Sequence, residues 1–210
     1  MVLFLLIPWF AGSLILLLDM GLLAKGQPPL TEWTTAYNLE KDHVIVKNGL
    51  LTTLPNMTKE WRVTFDVKPE DYVFRGYASV LHMTIGGKGL GSSAKVGDRT
   101  PAIWFHKTRG VLISAAMDGK ASYSKFYKNL PPAGEWTSIE VSQTRISSQY
   151  MFSISIGREK VLTKPNSKPV DLTDVKVYAG SPWYSGQKGS IRSLKIEIKT
   201  PIDCVKAGMT

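Results

Sequence analysis

Along much of the chain, apolar and polar residues change places at every second position. Trp61, Val63, Phe65 and Val67 alternate with Arg62, Thr64 and Asp66. Tyr150, Phe152, Ile154 and Ile156 alternate with Met151, Ser153 and Ser155, and Ile196 and Ile198 with Lys195, Glu197 and Lys199. A period of two sends one set of side chains to each face of a pleated strand, so each segment predicts a strand dry on one side and wet on the other. Further β-rich runs at 77–85, 102–106, 111–117, 122–127, 136–142 and 175–179 are separated by Gly, Pro, Asn and Ser, and no long helical period interrupts them. About ten to thirteen short strands exceed what one flat sheet carries, so an all-β sandwich of two sheets packed face to face is expected. The pattern predicts one domain over residues 38–199, a polar lead-in over 27–37 and a tail over 200–210. Tight loops are expected at Pro131-Pro132 and over 164–169.

The opening of the chain differs from everything after it. Its residues through Leu18 include no Lys, Arg, Asp or Glu. The run is shorter than the ~20 apolar residues that span a bilayer, contains Pro8 and ends at Asp19. Ala24 and Gly26 stand three and one residues before a cut that would leave Gln27 first. A cleaved signal peptide over 1–26 is expected, with an uncleaved anchor as the alternative, and both readings place the domain outside the cytosol. The 43% hydrophobic content of the 210 residues suffices for one packed core.

The net charge of +9 belongs to the domain, because Asp19 and Lys25 cancel within the leader. The bases are scattered singly, as at Lys107, Arg109, Lys120, Lys125 and Lys128, rather than in the runs of a nucleic-acid arm. They make a solvated basic surface, or a diffuse field for acidic glycans and anionic cell surfaces. Cys204 is the only cysteine, so no internal disulfide forms, and the thiol is either buried or free to link two chains as a disulfide-bonded homodimer. Asn56-Met57-Thr58 is a glycosylation sequon, consistent with export.

One series of landmarks goes beyond periodicity. Trp61-Arg62-Val63-Thr64-Phe65-Asp66-Val67-Lys68-Pro69 is followed by Ser79-Val80-Leu81-His82-Met83-Thr84 and by Arg99-Thr100-Pro101-Ala102-Ile103-Trp104-Phe105. Then come Gly134-Glu135-Trp136-Thr137-Ser138-Ile139-Glu140-Val141, Val175-Lys176-Val177-Tyr178-Ala179-Gly180-Ser181-Pro182-Trp183 and Gly189-Ser190-Ile191-Arg192-Ser193-Leu194. Over about 38–199 this resembles the concanavalin A-like lectin/glucanase superfamily, particularly its laminin G-like and pentraxin-like extracellular modules. The resemblance implies an antiparallel jelly-roll sandwich and extracellular ligands, but one fold hosts many sites.

Sugar-cleaving relatives carry Glu-x-Asp-x-x-Glu on one strand, and pleat alternation aims those carboxylates into one cleft. The nearest approach here, Glu40-Lys41-Asp42-His43-Val44-Ile45, has Ile45 where the second Glu is required, and enzymatic activity is not expected. His43, His82 and His106 lack metal-ligand spacing, and no cysteines complete a zinc set. No cofactor is expected beyond a candidate calcium site at Asp98 and Asp118. The run Gly86-Gly87-Lys88-Gly89-Leu90-Gly91-Ser92-Ser93 lacks the ending of a phosphate loop and reads as a rim loop.

Two aromatic turns are the binding candidates. Trp183, Tyr184, Gln187 and Lys188 form one, offering a ring to a sugar's apolar face and polar groups to its hydroxyls; Tyr123 and Tyr127 mark the other. The competing reading has Trp183 plug one end of the sandwich. The expected function is a secreted, non-enzymatic, lectin-like carbohydrate-binding module. The alternative is an adhesion or matrix module that binds cell-surface or matrix proteins without sugar specificity. If the leader is cleaved and the sequon used, intact-mass analysis of secreted protein will show a chain beginning near Gln27 with sugar on Asn56, whereas a retained leader would replace secretion with anchoring.

Overall fold

A computed structural model describes residues 31–87 and 94–202. Its strands, in chain order, are β1 (Thr31–Leu39), β2 (His43–Val44), β3 (Val46–Lys47), β4 (Leu50–Met57), β5 (Trp61–Pro69), β6 (Tyr77–Thr84) and β7 (Ala102–His106), followed by β8 (Gly110–Met117), β9 (Lys120–Tyr127), β10 (Thr137–Ile146), β11 (Gln149–Ile156), β12 (Glu159–Asn166), β13 (Leu172–Ser181) and β14 (Gly189–Pro201). No helix occurs among the described residues. One sheet runs β1-β14-β5-β10-β11-β12, with β2 also pairing β14; the other runs β3-β13-β6-β7-β8-β9, with β4 also pairing β13. Every named pairing is antiparallel except the two-residue β3–β13 pair, which is parallel.

The alternation read from the sequence decides which side of each strand is dry. Along β5 buried and half-buried residues alternate without a break from Trp61 to Pro69. Val63, Phe65 and Val67 meet Ile139 and Val141 of β10, Phe152 and Ile154 of β11 and Ile196 of β14 in one core, which Leu81, Ile103, Phe105, Ile113 and Val177 close from the opposite sheet. Trp61 and Phe152 pack edge to face with centroids 6.3 Å apart. Each such side chain contributes about 1.5–3 kcal/mol when removed from water.

In β14 the apolar positions fall at Ile191, Leu194, Ile196 and Ile198, which is one residue out of phase across Ser193. A bulge between Arg192 and Lys195 absorbs the extra residue, with Ser193 in a left-handed conformation (φ 51°), so that Ile191 and Leu194 both face inward.

Five strands, β1 to β4 and β12, were not expected from the sequence. Most of the segment read as a lead-in is β1, which pairs with β14 from Thr31↔Pro201 to Leu39↔Leu194, so residues 31–37 belong to the sandwich. The segment read as a tight loop over 164–169 begins as the end of β12. Pro165 is tolerated there because β12 is an edge strand and its outer side asks for no amide donor. Pro55 lies likewise in β4, which borders β13 at the other sheet's edge. The paired segments β2 and β3 are too short to show any period.

A buried polar chain ties the two sheets together at one end. The Asn166 amide donates to Gln143 Oε1 (2.6 Å), Gln143 Nε2 donates to the Lys59 carbonyl (2.7 Å), and Asn166 Oδ1 accepts the Asp118 amide (2.8 Å). Replacing Asn166 with Ala strands Gln143 Oε1 and the Asp118 amide; a loss of about 1–3 kcal/mol is expected in urea titrations, against almost none for Asn56→Gln on an exposed edge.

Candidate functional site

The strands β6 to β9 carry apolar residues on both faces. While Ile103, Phe105, Val111 and Ile113 go inward, Trp104 and Leu112 go outward, and the cross-strand register sets them side by side. The next row joins Ala102, Ser114 and Ser124, with the two serine hydroxyls 2.6 Å apart. Tyr77, Trp104, Leu112, Ser114, Ser122 and Ser124 thus floor a groove of about 660 Å³. Ala94 and Arg99 of the segment leading into β7 line it as well, as do Tyr184 of the turn after β13, Lys120 and Ala121.

The groove is cationic at its margins. The Arg99 guanidinium stands 5.9 Å from the Trp104 ring. Arg109 lies 3.9 Å over Phe126 and donates to the Tyr77 hydroxyl at 3.0 Å, while Tyr77 meets His106 edge-on at 4.7 Å. No Asp or Glu lines the groove among the described residues. The Tyr184 hydroxyl is buried without a hydrogen-bond partner among the described residues. Such an atom costs about 1–3 kcal/mol while its hydrogen bonds go unmade.

Behind the floor, His82 is buried between two indoles, edge-on to Trp104 at 5.5 Å and to Trp183 at 5.4 Å. Its Nε2 is 2.9 Å from the Asp98 carbonyl and its Nδ1 is 3.2 Å from Ser181 Oγ. Burial pushes the imidazole pKa down to about 4, against the opposing hydrogen bond to the Asp98 carbonyl.

The structure divides the turn candidates. Tyr184 lines the groove. Trp183, half-buried, packs against His82 and is not part of the lining. Gln187 is fully buried, its Nε2 donating to the carbonyls of Asp71 and Lys188 and its amide to Ser79 O, so it fastens the turn instead of facing a ligand. Its Oε1 has no partner among the described residues. Lys188 is exposed and pairs with Asp71 at 3.2 Å.

Tyr123 and Tyr127 lie on the inner phase of β9 and pack against the core. Tyr127 donates to Glu159 of β12 at 2.9 Å, and the Lys164 ammonium sits 4.7 Å over Tyr123, so both rings close the sandwich edge instead of lining the groove. Alternation left two phases open for β9, and the larger aromatics took the dry one.

Neither acidic candidate is arranged for calcium. Asp118 Oδ1 accepts the Ser167 amide and hydroxyl (2.8 and 2.9 Å), Oδ2 pairs with Lys164 at 3.4 Å, and the Ser167 bonds hold its carboxyl below the usual range. Asp98 is buried, with Oδ2 accepting the Lys95 amide at 2.7 Å. No three His, Cys, Asp or Glu residues converge as a metal cluster among the described residues. Glu40 is exposed in the turn between β1 and β2, strands of the opposite sheet, and accepts from Asn38 at 3.1 Å. Asn56 is exposed on β4. The leader, residues 88–93 of the glycine-rich run and Cys204 lie outside the described residues.

No family model matches this chain. No curated protein matches it either. Among solved structures it is similar to the CBM40 module of the Ruminococcus gnavus IT-sialidase bound to α2,3-sialyllactose, with TM-score 0.51, 11% identity and coverage of 84% of this chain and 100% of the module. Another structure of the same CBM40 gives TM-score 0.50 at 12% identity, covering 81% and 96%. The native heptameric SAP-like pentraxin of Limulus polyphemus matches with TM-score 0.46 at 11% identity, covering 70% and 67%. At these identities the likeness is one of fold. The protein is an all-β sandwich of two packed sheets, and in fold it is similar to that CBM40 module.

The buried histidine generates a pH dependence. Its pKa is lower folded than unfolded, so its contribution is complete above about pH 6.5 and declines as pH falls toward 4, amounting to about 3 kcal/mol. Urea unfolding of wild type and His82→Gln across that range will diverge in slope on the acidic side; parallel curves would remove the assignment.

Proposed function

We propose that this protein is an exported, non-catalytic glycan-binding module whose ligand lies across the outer face of β6 to β9. The observation that carries the reading is the composition of the groove: an apolar floor of Trp104 and Leu112, a row of serine hydroxyls, and Arg99 and Lys120 at the margins. A sugar presents an apolar face and a fringe of hydroxyls, which rings and hydroxyl side chains match. Two-carboxylate hydrolysis needs a general acid and a partner carboxylate on either side of a glycosidic bond, and the described lining residues supply neither, which favours holding a glycan over cutting it. The margins favour a glycan bearing carboxylate or sulfate groups. The CBM40 module of similar fold was solved with sialyllactose bound, which makes a sialylated glycan the first probe.

A second reading is a protein-binding adhesion module. Val44, Val46 and Leu50 favour it, as exposed apolar side chains clustered in sequence over β2 to β4 that the groove does not use.

A glycan array of neutral, sulfated and sialylated structures, followed by titration calorimetry with 3′-sialyllactose, tests the proposal. Ser124→Trp, which fills the groove from an exposed position, and Lys120→Glu, which reverses a marginal charge, should each weaken binding by about tenfold or more while shifting the melting temperature by only about 2 °C. A blank array, or Ser124→Trp binding like wild type, would overturn it.

A further inference from the structure

We propose that His82 is the positioning residue of the groove, and that its protonation releases the turn carrying Tyr184 while leaving its bond to the Asp98 segment in place, so that the groove is set for ligand at neutral pH and slack in acid. The geometry stands by itself; the consequence for ligand rests on the glycan reading above.

The segment carrying Arg99 and the turn carrying Tyr184 are far apart in sequence, and this ring is hydrogen-bonded to both at Asp98 and Ser181. The Asp98 carbonyl only accepts, so Nε2 carries the hydrogen and Nδ1 of the neutral ring accepts from the Ser181 hydroxyl. Ser181 Oγ in turn accepts the amides of Trp183 (3.2 Å) and Tyr184 (3.3 Å), which start the turn. Asp98 closes its own loop by accepting at Oδ2 from the Lys95 amide and by donating its amide to the Lys95 carbonyl (3.0 Å). Each of these bonds fixes which atom donates and which accepts.

A proton on Nδ1 breaks that assignment. The nitrogen becomes a donor facing an oxygen that already serves two amides, and the Ser181 hydroxyl hydrogen loses its acceptor. The turn is thereby unfastened at its first residue, and the imidazolium is left between two indoles that keep water away. Among the described residues, the titratable and charged groups acting on the ring are Asp98 and Arg99 from the segment before β7, with Tyr178 its cross-strand partner on β13. Burial is the largest influence and, with Arg99 on its side, overcomes the opposing pull of Asp98, holding the pKa at about 4. If release returns the ring to an ordinary pKa, the opening equilibrium rises on the order of fiftyfold between pH 7 and 4.5.

Amide hydrogen exchange on the secreted chain, corrected for intrinsic rates, reads this without any ligand. Between about pH 7 and about pH 4.5, protection at Trp183 and Tyr184 should fall about tenfold or more in wild type while that of Val63 and Phe65 in β5 falls far less. In His82→Gln, whose amide donates to the Asp98 carbonyl without titrating, the same change should stay within about twofold. Parallel losses in the two proteins, or loss at Trp183 only together with β5, would overturn the proposal. Titration with 3′-sialyllactose then adds a second readout: wild type should weaken about tenfold over the same pH interval and His82→Gln should not. Absence of binding by either protein at both pH values would overturn the glycan reading and leave His82 to be decided by exchange alone.

Discussion

The interior between the two sheets is the constraint from which the other features follow. With a single cysteine the chain forms no internal disulfide, so the sheets are held by close-packed apolar side chains and a few buried polar links. A one-residue slip in any of these strands would turn its inner set out to water, so core burial sets the register. That requirement explains the bulge at Ser193, where a left-handed serine is accepted so that Ile191 and Leu194 both reach the core. It also explains why Tyr123 and Tyr127 close an edge, leaving Ser122 and Ser124 to face outward.

The groove is a by-product of that same register. Once Ile103, Phe105, Val111 and Ile113 are committed inward, Trp104 and Leu112 have only the outer face left, where the register makes them adjacent. Apolar side chains on an outer face are costly in water, and here Trp104 is only 6% exposed. The segment carrying Arg99 and the turn carrying Tyr184 cover part of the floor, and a ligand would cover more. The opposite sheet shows how an ordinary wet face is managed. There Arg62 pairs with Glu197, Arg192 with Asp66 and Lys195 with Glu197, and Trp136 lies beneath Lys68 and Arg192. Those carboxylates have partners and stand apart from the groove, which has none among its described lining residues.

The polar links are few and each is placed where two segments must agree. Asn166 and Gln143 join the ends of the sheets through satisfied amides, which is the condition under which a buried polar group costs little. His82 does the same beside the groove, but with a group that titrates. A network that is stable only when every hydrogen is assigned becomes sensitive to one added proton, and that sensitivity comes from the same burial that makes the ring rigid.

The alternation of Trp61 to Val67 and of Tyr150 to Ile156 was enough to predict the class of fold, because a period of two with one dry face has few solutions besides two packed sheets. The order of landmarks around Trp104, Trp136 and Trp183 added the jelly roll. Short, edge or polar strands such as β1 and β12 were not legible, since what makes them strands is a partner far away in the chain. The site was legible only in part. Tyr184 was a candidate from its turn, but Trp104, Leu112, Ser114 and Ser124 come from three strands, and only their register makes one surface of them. One signal was present and went unread: 102–105 and 111–113 are apolar without alternation, which marks strands covered on both sides. Which of those faces became core and which became groove was decided by tertiary packing. A strand's sequence gives the period of its faces, and only the opposing sheet determines which of the two it will bury.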